Sequence, residues 1–67
     1  MAVARVTEIS STSSKSFDDA VQQGISRATK TLRNVRSAWV KEQRVDVRND
    51  KIAEYQGNLM VTFVLED

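Results

Sequence analysis

The chain contains no cysteine, no histidine and no proline, and only two glycines in 67 residues. Without cysteine there is no disulfide framework, and without histidine as well the usual ligands of a structural zinc site are missing. A chain this short builds only a marginal hydrophobic core, so self-association is the remaining common remedy. The lack of proline, the scarcity of glycine and the absence of an internal repeat leave no room for a linker, and residues 1–67 read as one domain. There is no long apolar run and no charged-then-apolar leader after Met1. The expectation is a cytoplasmic protein with no membrane partner. The net charge is only +1, which argues against nonspecific binding of nucleic acid by bulk electrostatics.

What the chain does have is a long stretch of strand-forming sequence. Residues Val35 to Arg48 and Lys51 to Leu65 are rich in Val, Ile, Tyr, Trp and Phe, and they flank Asn49-Asp50. Asn and Asp tolerate the left-handed geometry of tight turns, so the whole stretch reads as one hairpin. A constant index sum from Arg48–Lys51 pairs Val45 with Glu54, Gln43 with Gln56, Trp39 with Met60 and Ser37 with Thr62. Alternation then puts Ala38, Val40, Leu59, Val61, Phe63 and Leu65 on one face as a core at the open end. Towards the turn that face becomes Glu42, Arg44, Asp46 and Arg48 against Lys51, Ala53 and Tyr55. The other face carries Val35, Ser37, Trp39, Gln43, Val45, Val47, Ile52, Gln56, Asn58, Met60 and Val64.

Before the hairpin, Val3 to Ser10 fits a first strand and the serine-rich run after it a loop. Ser16 and Asp19 have capping-box spacing, which opens a helix there. Phe17, Ala20, Val21, Gly24, Ile25, Ala28, Leu32 and Val35 draw one apolar stripe along it. Asp18 and Asp19 suit its positive end, Lys30 and Arg33 its negative end, and Asn34 a left-handed cap. Gly24 inside the stripe costs about 1 kcal/mol relative to alanine, and reads as a tolerated defect or, slightly ahead of that, as a place of close backbone approach. The basic cluster of Arg27, Lys30, Arg33 and Arg36 complements the helix dipole.

These elements predict an α+β fold of order β-α-β-β, with a right-handed crossover giving a three-stranded antiparallel sheet of order 1-3-2 around one helix. About seventeen helical residues span about 26 Å, whereas a fourteen-residue arm spans about 45 Å. The turn end of the hairpin must therefore project past the helix, as a natural subunit contact.

The segments ARVTEISSTS, RATKTLRNVR and EYQGNLMVTFVLE, in this order and spacing, resemble the dodecin family over nearly the whole chain. The resemblance implies a noncatalytic, hollow homododecamer of bacterial type that stores or buffers a small ligand. In flavin-binding members a Trp of the second strand stacks on the isoalloxazine of FMN or riboflavin, and a Gln of the third strand bonds its polar edge. Gln56 matches that Gln. The family pattern after the helix, laid on Leu32-Arg33-Asn34-Val35-Arg36, puts Ser37 where the Trp belongs, and Trp39 falls two residues later. In this respect the chain resembles the branch without the stacking Trp, to which calcium-containing dodecins belong.

The site candidates are accordingly Gln56, Ser37, Trp39 and Arg44. Trp39 shares strand parity with Ser37, about 7 Å along the strand, and reads as a packing tryptophan or a displaced stacking residue. Gln56 reads as a ligand contact or as the cross-strand partner of Gln43. Arg44 reads as a local partner of Asp46 or as a phosphate contact. The carboxylates Glu8, Glu42, Asp46, Asp50, Glu54, Glu66 and Asp67 form no spaced ligand loop, so a metal site is not assignable from the chain alone. No nucleophile-base pair and no phosphate-cradling glycine loop is present, and no enzyme is expected.

Overall fold

The computed structural model describes residues 3–65, so the carboxylates Glu66 and Asp67 lie outside the described residues. Its elements are β1 (Val3–Ser13), α1 (Phe17–Thr31), β2 (Val35–Arg48) and β3 (Lys51–Leu65). Asn49 and Asp50 both adopt positive φ, 53° and 62°, as a two-residue turn of this handedness requires. Sheet order is β1-β3-β2, antiparallel throughout, which is the expected topology.

β1 is three residues longer than its composition suggests. Ser11, Thr12 and Ser13 pair with Gly57, Gln56 and Tyr55, and ladder formation overrides their weak strand preference. The chain then turns tightly into α1. The buried Ser13 hydroxyl donates to Asp19 Oδ2 at 2.6 Å and accepts the Lys15 N–H at 2.9 Å. Ser16 caps the helix as expected, accepting the Asp19 N–H at 3.0 Å. The Asp19 carboxylate accepts from Ser13 and Gln23, so it ties α1 to β1 instead of closing a capping box. α1 ends at Thr31, with Leu32 as its C-cap. Asn34 takes the left-handed conformation at φ 60°, and its carbonyl accepts the Val64 N–H at 3.1 Å. Val35, counted in the helical stripe, instead begins β2 and pairs with Phe63.

Helix and sheet meet through small residues. Ala20, Gly24 and Ala28 are the buried positions of α1, set against the fully buried Leu59 and Val61 of β3. A Cβ on Gly24 would lie 3.1 Å from Leu59 Cδ1 and 3.1 Å from Ser11 Cβ, which is the close approach its place in the stripe suggested. These neighbours belong to β1 and β3, not β2. Ala38 and Val40 share a face with Leu59 and Val61 yet stay exposed, so the expected open-end core lacks its β2 half. An open apolar groove remains between α1 and β2, lined by Val21, Ile25, Val35, Ala38, Val40 and Leu59.

The hairpin register departs from a constant sum. Ser37–Thr62, Trp39–Met60 and Arg48–Lys51 pair as expected, but Lys41 is an extra residue in β2. Beyond it Glu42 faces Asn58, Gln43 faces Gly57, Arg44 faces Gln56 and Val45 faces Tyr55, until an irregularity near Ala53 restores the sum. The expected pairs Gln43–Gln56 and Val45–Glu54 are therefore each displaced by one. A third shift, between Val35 and Ser37, sets Val35 with Phe63 on the helix side instead of on the face of Ser37.

Because side chains alternate with period two, a slip of one residue exchanges faces. Gln43, Val45, Val47 and Ile52 join Tyr55 on the helix side of the sheet, and Glu42, Arg44 and Asp46 join Asn58 and Gln56 on the helix-free side. The bulge thus gathers the turn-end apolar groups on one face. α1 does not reach them: fifteen residues span about 22 Å, against a long axis of 51 Å. Val47 and Ile52 remain 62% and 53% exposed.

A candidate ligand face on the helix-free side of the sheet

All four candidate residues lie on the helix-free face of the sheet. Ser37 and Trp39 approach from the open end of β2, paired with Thr62 and Met60. Trp39 is 52% exposed, which excludes a core role within one chain. Arg44 lies directly across from Gln56 only because Lys41 bulges; in an unbroken ladder the two would occupy opposite faces. The suggested partner Asp46 does not engage it. The ion pairs among the described residues are Lys41–Glu8 at 3.2 Å and Arg48–Glu54 at 3.9 Å.

Gln56 does not pair with Gln43, which points to the other face. Its Nε2 donates to Ser10 Oγ at 2.9 Å and to Asn58 Oδ1 at 3.2 Å. Asn58 is 8% exposed, and its Nδ2 donates to Glu42 Oε1 at 2.7 Å. A chain of polar contacts thus crosses all three strands, from Ser10 on β1 through Gln56 and Asn58 on β3 to Glu42 on β2. No buried side-chain nitrogen or oxygen among the described residues is left without a partner.

Asn58, Glu42 and Ser10 are the site residues that sequence reasoning missed. The available signal was two amide side chains two positions apart on one strand, which alternation places side by side on one face. Glu42 carried no signal, since its place on this face depends on the bulge. Among the described residues no group of three or more Asp or Glu side chains is placed to hold a metal ion. None of their helices is long and apolar enough to cross a membrane.

The Dodecin family model matches residues 3–66. Among solved structures, a dodecin from Streptomyces coelicolor is similar with a TM-score of 0.94 at 33% identity, over 98% of this chain and 94% of that one. A dodecin from Streptomyces davaonensis gives 0.93 at 36% identity, over 98% and 97%. The calcium dodecin of Mycobacterium tuberculosis, described as calcium chelating with a novel calcium-binding site, gives 0.83 at 32% identity, over 96% and 91%. No curated protein sequence matches. With its β-α-β-β order, sheet order 1-3-2 and length all matched, this chain belongs to the dodecin family.

Proposed function

We propose that this chain is the protomer of a noncatalytic homododecameric shell that holds or buffers a small planar ligand, a flavin such as FMN or riboflavin, on the helix-free face of its sheet. The observation that carries this reading is the convergence of Gln56, Trp39, Ser37 and Arg44 on that face, two of them brought opposite one another by the bulge at Lys41. Gln56 contacts the polar edge of the ring and Arg44 is available to a phosphate, while half-exposed Trp39 on the same face is suited to burial against a second chain beside the ligand. Exposed Val45, Val47 and Ile52 on the projecting hairpin favour burial against further copies of the chain.

A second reading, a shell of the same architecture that binds calcium and little flavin, is favoured by Ser37 at the stacking position and by the similarity to the calcium dodecin. The colour of the purified protein separates the two. Bound flavin is yellow and its fluorescence is quenched beside an aromatic ring. Colourless protein that leaves riboflavin fluorescence unchanged on titration rules out the first reading.

A further inference from the structure

A carboxylate has no hydrogen to donate, so the side chain that faces Glu42 Oε1 must present its own N–H. Asn58 does so through Nδ2 at 2.7 Å. An amide that turns its nitrogen one way turns its oxygen the other, and Asn58 Oδ1 therefore faces Gln56. Only the nitrogen of Gln56 can answer an oxygen, and Gln56 Nε2 lies 3.2 Å away. Its second hydrogen goes to Ser10 Oγ at 2.9 Å. Both donors of the Gln56 amide are then used, and Oε1 is the group it still has to offer.

We infer that Glu42, acting through Asn58, is a positioning residue that fixes the Gln56 amide as a hydrogen-bond acceptor, so that the face selects planar ligands carrying an N–H donor on their polar edge. Reversing Asn58 would set its oxygen against the Glu42 carboxylate with the side chain almost out of reach of water, which is costly. The polarity set at Glu42 is thereby passed across the sheet to Gln56. Oxidised isoalloxazine has a single ring N–H, the imide between its two carbonyls, and that imide is the edge an acceptor at Gln56 recognises. The selection rests on the proposed role of Gln56 as a ligand contact. The polarity itself does not.

Two probes that differ only at the imide test the selection: lumiflavin, with an N–H, and 3-methyllumiflavin, without one. The natural protein should bind the N–H form more tightly by at least about fivefold, the effect of leaving one buried acceptor unpaired. Glu42→Lys replaces an acceptor with a donor and should reduce the preference to near unity. Glu42→Gln keeps an acceptor and should retain it. If Glu42→Lys does not assemble, Glu42→Ala, with no acceptor, should show the same loss. No preference in the natural protein, an undiminished preference in Glu42→Lys or Glu42→Ala, or equal loss in Glu42→Gln overturns the inference.

Failure of both probes to bind the natural protein would defeat the flavin reading alone, because the polarity is also legible without ligand. In 15N spectra the Gln56 side-chain amide protons should exchange slowly in the natural protein and rapidly in Glu42→Lys or Glu42→Ala. Equal exchange in both overturns the relay.

Discussion

Glu42 lies directly across the hairpin from Asn58 and accepts its Nδ2–H at 2.7 Å, although an unbroken count from the Asn49-Asp50 turn sets Glu42 opposite Gly57. A one-residue register shift, entered near Ala53 and ended at the extra residue Lys41, accounts for the difference. It moves a carboxylate and an arginine onto the face that holds Gln56, and moves Val45 and Val47 away from it. The bulge therefore sorts the turn end of the hairpin into a polar face and an apolar one. Lys41 itself turns to Glu8 on β1, so the irregular residue also ties together the two outer strands.

Assembly is the first expectation open to test. The apolar turn-end residues are exposed in a single chain, and α1 is too short to cover them. Light scattering at micromolar concentration should give the mass of twelve chains. Charging two residues that the isolated chain leaves exposed, as in Val47→Lys with Ile52→Lys, should break the particle into smaller species that keep their circular dichroism. A monomeric natural protein would defeat the shell.

Gly24 tests the packing of α1 on the sheet. Alanine improves helix propensity by about 1 kcal/mol, but its Cβ would meet Leu59 Cδ1 and Ser11 Cβ, both at 3.1 Å. Leu59 is 1% exposed and Ser11 is held by its ladder, so neither yields easily. Overpacking of this kind costs about 1–3 kcal/mol, and the net effect of Gly24→Ala should be a lower midpoint in thermal melting. Leu59→Ala should cost more, about 2–5 kcal/mol. A midpoint raised by Gly24→Ala would mean that the helix can move off the sheet freely.

The strand bounds of the hairpin, its turn, the helix start and the sheet order were all legible in the residues, because each has a local physical signature. Asn49-Asp50 adopts the φ values its side chains tolerate, and Ser16 caps as its spacing implies. The site was legible only in part. Gln56, Trp39 and Ser37 share the face that alternation gives them, whereas the place of Arg44 and Glu42 depends on a bulge. Nothing in Trp39-Val40-Lys41-Glu42-Gln43 marks one, as there is no glycine in this stretch. Likewise Ser11 to Ser13 form strand only because β3 offers them partners, which is information held far along the chain.

A pH dependence follows from the β1–α1 tie. The Ser13 hydroxyl, helped by Gln23 and Lys15 and opposed by desolvation, holds the Asp19 carboxyl below its ordinary value of 3.8. In the window between the folded and unfolded values the unfolded chain binds more protons, so stability there rises with pH. The contribution of Asp19 is complete above about pH 4 and is lost as pH falls through the lowered folded value. Urea unfolding of Ser13→Ala should show a shallower loss below pH 4 than the natural protein. An identical acid slope in the two proteins would remove Ser13 as the cause.

The last expectation concerns the aromatic surface. Ser37 and Trp39 share the helix-free face about 7 Å apart, and the resemblance puts the stacking ring at Ser37. Base-aromatic stacking in nucleic-acid sites, the nearest guide, is worth about 1–3 kcal/mol per ring, or about five- to 150-fold in dissociation constant. Ser37→Trp should strengthen riboflavin binding by a factor in that range, since Gln56 is already in place. Trp39→Ala should change the ligand affinity little and the assembly more, because a half-exposed tryptophan beside Met60 is well suited to burial against a second chain. The opposite pattern is equally readable in a fluorescence titration of the three proteins with particle size followed in parallel. If the natural protein binds riboflavin tightly and Trp39→Ala abolishes that binding in an intact particle, then Trp39 is the stacking residue, displaced by two positions along β2.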